Sequence, residues 1–144
     1  MSAAKKEVSY VISVSLGTGC YRHIQISSKA RLVELHEAIL DAFEFIDDHA
    51  HAFFMNNRAW SEEEAYYSDI IEGEDRYTTD YTLEKLHLYP DMKFKYVFDF
   101  GEEWLFQCKV LKILDEITDT PDVIRSKGES PGQYEWADED FDDE

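Results

Sequence analysis

KFKYVFDFGEEWLFQCKVLKIL, from Lys93 to Leu114, places two alternating apolar runs on either side of an acidic turn centred on glycine. Side chains of an extended chain alternate, so Phe94, Tyr96, Phe98 and Phe100 share one face while Lys93, Lys95, Val97 and Asp99 take the other. From Trp104 the alternation resumes, with Trp104, Phe106, Cys108 and Val110 opposing Leu105, Gln107, Lys109 and Leu111. Gly101 supplies the backbone freedom of a reversal, and Glu102 and Glu103 keep the turn in water. Two strands this rich in large apolar residues predict a hairpin at the centre of a sheet.

Upstream, Val8–Leu16 and Cys20–Ile26 alternate in the same way around Gly17, Thr18 and Gly19, predicting a first hairpin. Ser27 or Ser28 is placed to cap the helix that follows. Leu32, Leu35, His36, Ile39, Leu40 and Phe43 recur at helical spacing, so one face of that helix packs on the sheet. His49–Met55 reads as a strand returning to a turn at Asn56 and Asn57, with Ala59 and Trp60 beginning its partner. Ser61–Tyr81 is acidic and tyrosine-rich, an ordered surface loop with one helical turn after Ser61. Thr82 caps a short helix that ends before Pro90. Lys127–Tyr134, KGESPGQY, reads as a structured turn, with Tyr134 and Trp136 docking the C-terminal segment as a packing clasp.

Together these signals predict an α+β fold: a mixed, largely antiparallel sheet, a long helix on one face and the central C-terminal hairpin. The order strand, strand, helix, strand is also that of a β-grasp, which is the expected topology. A length of 144 residues suits one domain, assigned to residues 8–136 between a flexible N-terminus at 1–7 and a disordered acidic tail at 137–144.

A net charge of −18 with no basic stripe repels a phosphate backbone, so direct nucleic-acid binding is not expected. No apolar run reaches membrane-spanning length, and the lysines near the N-terminus precede no apolar segment of a secretory signal; a cytoplasmic protein without membrane association is expected. Cys20 and Cys108 are too few for a disulfide framework or a metal knuckle and read as reduced thiols.

His49 and His51, two apart on the predicted strand, project to one face, a spacing that a divalent metal can use, with Asp47, Asp48, His36 or His23 to complete the set. Catalytic zinc commonly takes three protein ligands, and nothing in the spacing selects the third. Asp99, Glu102 and Glu103 gather carboxylates around Gly101, but a solvated turn does the same without function. Asp99-Phe100-Gly101 spells a kinase magnesium motif without the glycine-rich loop, strand lysine or catalytic loop that would accompany it. A G-x-S-x-G elbow and a phosphate-binding glycine loop are both absent from the sequence.

In this order the segments resemble the family named for the third open reading frame of the plasmid pRiA. The resemblance spans Val8 to Trp136 and is carried by YRHIQI (Tyr21–Ile26), LHEAI (Leu35–Ile39), DDHAHAFFM (Asp47–Met55), YVFDFGEEW (Tyr96–Trp104) and KGESPGQY. Tyr21 stands where many members have tryptophan, and the extra cysteines that many carry near the C-terminal turn are missing. The resemblance implies an α+β domain, often encoded on plasmids or mobile elements, without an established biochemical activity. It singles out Arg22, His36, Asp48, His49, Asp99, Gly101 and Trp104 as recurring residues.

The first functional expectation is therefore a non-enzymatic binding or interaction module with a protein or small-molecule partner and no cofactor. Its surface is expected near the Asp99–Trp104 turn and the Ser61–Tyr81 loop, with Arg22, His36, Asp48, His49, His51, Asp99, Glu102 and Trp104 as candidate residues. The competing expectation is a metal-assisted hydrolase using His49, His51 and a carboxylate such as Asp48 or Asp99.

Overall fold

The computed structural model describes residues 7–133. Its strands are β1 (Ser9–Ser15), β2 (Tyr21–Ser27), β3 (His51–Phe54), β4 (Ala65–Tyr67), β5 (Lys93–Phe98), β6 (Trp104–Leu114) and β7 (Asp122–Lys127), with helix α1 at Leu32–Phe43. They form one sheet in the order β4-β3-β5-β6-β1-β2-β7, so the long strand β6 has three neighbours on each side. Every ladder is antiparallel, which corrects the mixed sheet expected from sequence. A β-grasp also requires a parallel central pair, and no ladder among the described strands supplies one.

The β5–β6 register sets Phe94 opposite Cys108, Tyr96 opposite Phe106 and Phe98 opposite Trp104. These side chains meet Leu32, Leu35, Ile39 and Phe43 of α1 in one buried core. Alternation thus places the aromatic face of the hairpin under the apolar stripe of the helix. Phe100 departs from the expected face. Asp99 adopts a left-handed backbone, φ 66°, and Phe100 packs instead on the opposite side with Ala52, Phe54 and Val97. Gly101 has no positive φ; Asp99 and Glu103, at φ 66° and 55°, make the reversal. Their side chains can tolerate that region, and Asp99 Oδ1 accepts hydrogen bonds from the backbone N–H groups of Gly101 and Glu102.

Other boundaries differ from the sequence reading. Strand β3 begins at His51, not His49, and its partner is Ala65–Tyr67, after a one-turn 3₁₀ helix at Glu62–Glu64, with Trp60 in a left-handed turn. Helix α1 is capped by Arg31, whose N–H donates to Glu34, while Ser27 and Ser28 end β2. Strand β7, unmarked by apolar alternation, lies along β2 with every residue exposed. The predicted tail at 137–144, Tyr134, Trp136 and most of the N-terminal segment lie outside the described residues. No helix among the described residues is long and apolar enough to cross a membrane.

Candidate functional site

A cleft of about 540 Å³ opens between the first half of α1, the segment 47–49, the start of β3 and the loop running from Ser68 to Thr79. Four chain segments converge there because the loop satisfies the free N–H groups of the helix start. Leu32 N–H donates to the carbonyl of Tyr81 and Val33 N–H to that of Thr78. On the strand side, Ser68 N–H donates to the carbonyl of His51. The loop is thereby tied to both walls.

Two histidines form the inner part of this cleft. His36, from the buried stripe of α1, and His51, the first residue of β3, are 1% and 4% exposed. Their rings stack with centroids 3.6 Å apart and planes 12° from parallel. His36 Nε2 lies 2.9 Å from Asp47 Oδ2, and its Nδ1 lies 2.6 Å from the Tyr96 hydroxyl. Asp47 is half exposed and acts as the acceptor, so Nε2 carries the ring proton and Nδ1 accepts from Tyr96 O–H. Burial pushes the Tyr96 phenol well above its ordinary value, which keeps that proton in place.

His51 Nε2 pairs with Thr78 Oγ1 at 2.8 Å. Burial, with His36 beside it, lowers the His51 pKa to about 2. Burial also lowers that of His36, against the opposing pull of Asp47. Both rings are therefore neutral near pH 7.

At the rim, His49 Nδ1 lies 2.7 Å from Asp48 Oδ1 and 3.6 Å from Asp99 Oδ2. Asp99 is buried, and its backbone N–H donates to the carbonyl of Ala50, so the β5–β6 turn is fastened beneath His49. Gln133 grips the same segment from the C-terminal side. Its Oε1 accepts from Ile46 N–H, and its Nε2 donates to the Ile46 carbonyl and to Asp48 Oδ1. Among the described residues of the C-terminal segment, Ser130 adds a contact of its own, donating to the carbonyl of Phe43.

Of the sequence candidates, His36, Asp48, His49 and His51 line the cleft, with Asp99 touching it through His49. Arg22, Glu102 and Trp104 do not line it. Arg22 lies over the Phe43 ring and donates to the carbonyls of Ala42, Tyr21 and Lys127. Trp104 packs edge-on against Phe45. Glu102 offers its backbone N–H to Asp99. His23 stacks on Tyr21 along β2 and is not part of the cleft.

His49 and His51 do not share a strand, and their ring nitrogens face different partners. Among the described residues, no group of three His, Cys, Asp or Glu side chains is disposed to hold a metal ion. The residues that sequence reasoning missed are Tyr96, Thr78, Ser68, Asp69 and Arg31. Tyr96 was hidden within an aromatic core run, and nothing in the spacing of the 68–79 loop tied it to α1.

The comparisons with known proteins agree with this fold. A family model described as plasmid pRiA4b ORF-3-like protein matches residues 10–142. No curated protein matches the chain. Among solved structures, the chain is similar to MM3350 from Methanosarcina mazei Go1, a protein of unknown function. The TM-score is 0.67 and the identity 20%, over 95% of this chain and 81% of that one. At that identity the likeness establishes the fold alone.

Proposed function

The chain belongs to the plasmid pRiA4b ORF-3-like family, and from that premise we propose that it is a non-enzymatic binding module whose ligand enters the histidine–carboxylate cleft. The observation that carries this reading is the convergence of His36, Asp48, His49 and His51 on one cavity of about 540 Å³. That size is typical of small-molecule sites. The site keeps the loop after Ser61 that the sequence suggested and replaces the aromatic rim with a polar interior.

The same geometry argues against metal-assisted hydrolysis through His49 and His51. Both nitrogens of His36, one of His51 and one of His49 are engaged by protein groups. Zinc requires ligands converging at roughly 2.0–2.3 Å. Buried neutral imidazoles held by a phenol, a hydroxyl and a carboxylate instead form a fixed recognition surface.

The test is a ligand-observed NMR screen of polar metabolites against the protein and its Asp69→Asn and His51→Gln variants, with metal content measured on the same samples. Ligands whose binding weakens in both folded variants support the cleft. Binding indifferent to both substitutions overturns it, and stoichiometric metal lost on His49→Ala and on His51→Ala returns the hydrolase reading.

A further inference from the structure

We infer that the face of the sheet turned away from α1 is a docking surface for an extended acidic segment, and that its occupant is this chain's own C-terminal segment, residues 134–144. The first observation is where the register gathers charge. Of the 32 Asp and Glu residues in the chain, the seven strands carry one, Asp122. One row of directly opposed residues runs Lys93, Lys109, Ser13, His23, Arg125 across β5, β6, β1, β2 and β7. The next runs Lys95, Gln107, Ser15, Tyr21, Lys127. Opposed residues share a face, and the intervening Phe94, Cys108 and Val14 lie in the core beneath α1, so both rows face away from the helix. Lys112, opposite Val11, extends the same positive surface. Cations scattered over three strands in sequence thus become one patch on an otherwise acidic chain.

The second observation is that the patch lacks compensating charge. Lys93 stands directly opposite Lys109, where like charges repel. Among the described residues Lys109 alone of these six cations has an ion-pair partner, Asp91 at 3.7 Å, and that carboxylate is 83% exposed. Lys95 donates to the side chain of Gln107, a neutral group. Burial and then the charge of Arg125 lower the pKa of His23 in the middle of the row.

The third observation is where the described chain ends. Gln133 is bonded to Ile46 and to Asp48, beside His49 and the β5–β6 turn at Asp99. Strand β6 begins at that turn, and Tyr21 and Lys127 lie at the same edge of the sheet through the Ser15–Gln107 pairing. The eleven residues that follow, YEWADEDFDDE, hold seven carboxylate side chains and no cation. Extended, they reach about 36–40 Å, against about 19 Å for a row of five strands. Leu105, 44% exposed on this face, offers apolar surface to an aromatic side chain such as Trp136 or Phe141. A free anion or a second copy approaches a chain of net charge −18 against repulsion, whereas a tethered segment is already present at high effective concentration.

The experiment compares the ¹⁵N-labelled full chain with a full-length variant neutralised at Asp138→Asn, Glu139→Gln, Asp140→Asn, Asp142→Asn and Asp143→Asn. The amide shifts of Ser13, Lys109 and Arg125 are expected to differ between the two at about 20 mM salt and to converge at about 0.5 M. Carbodiimide should join carboxylates of 138–144 to lysines of the two rows within one chain, and Lys109→Gln/Arg125→Gln, substitutions on the sheet surface, should shrink the shift difference with the fold unchanged. A peptide of residues 134–144 should bind the neutralised variant at least about tenfold more tightly than the parent, whose surface is occupied. Identical spectra at low salt, or equal peptide binding to both proteins, overturns the inference. Cross-links formed only between ¹⁴N and ¹⁵N chains in a mixed sample overturn it in favour of a second copy. Oligothymidylate that binds the neutralised variant more tightly than the peptide overturns it in favour of a nucleic-acid surface.

Discussion

The rings of His36 and His51 stack at 3.6 Å, and each is held at its edge by a different group, Asp47 with Tyr96 for one and Thr78 for the other. One ring comes from the helix and the other from the sheet. The pair therefore fastens α1 to β3 only while both imidazoles are neutral, since two positive charges in buried contact would repel strongly.

A pH dependence of stability follows. The folded pKa of His51 is about 2 against 6.5 for the free side chain, and that of His36 shifts in the same direction. Below pH 6.5 the unfolded chain binds protons that the native pair refuses, so this stability is present above that pH and is lost progressively as pH falls toward the folded values. The expected slope is up to about 1.4 kcal/mol per pH unit for each ring. Urea unfolding at pH 7.5, 6 and 5 measures it, and His51→Gln should flatten the curve by one ring's share. An unaltered slope in that variant would assign the acid sensitivity elsewhere.

Gly101 in the hairpin turn and Gly128 after β7 should respond very differently to alanine. At Gly128, φ is 80° and a Cβ would stand 2.3 Å from the carbonyl oxygen of Gly19 and 3.0 Å from Cys20 Cα. Gly128→Ala is expected to cost about 3 kcal/mol, because both the conformation and backbone contacts oppose it. At Gly101 the nearest such atom is Asp99 Oδ1 at 3.6 Å, an ordinary contact. Gly101→Ala is expected to lie within about 0.5 kcal/mol of the parent. Parallel chemical denaturation decides, and a large loss at Gly101 would contradict the turn geometry.

Arg22 is a structural clamp, and its replacement should show this. The guanidinium joins β2 to the helix end at Ala42 and to the end of β7 at Lys127 while stacking on Phe43. Lysine cannot serve the separated carbonyls with one ammonium and lacks the planar face. Arg22→Lys is expected to lower stability by about 2–3 kcal/mol. Ligand affinity, measured where the variant is fully folded, should stay unchanged.

The elements that could be read in advance were those written in local periodicity. The stripe from Leu32 to Phe43 and the alternation of Lys93–Leu114 each predict their own buried face, and both faces meet in the core. Strand β7 was not legible because its residues are all exposed, and β4 was not because three residues are too short to show a period. His49 and His51 illustrate a subtler failure. Their spacing implies a common face only if both lie on one strand, and the carbonyl of Ala50 is engaged by Asp99 N–H before β3 begins.

By itself the sequence determined an α+β chain with one amphipathic helix, a central hairpin and a strongly acidic surface, because period and charge are properties of neighbouring residues. Only the tertiary structure decided that every ladder is antiparallel and that the loop from Ser68 to Thr79 lines one cleft with His36 and His51. It also decided that Tyr96, 60 residues from His36, supplies that ring's hydrogen-bond donor. Such partners are set by how the helix lies across the sheet and by which backbone groups a loop must satisfy, and those long-range pairings leave no spacing to read.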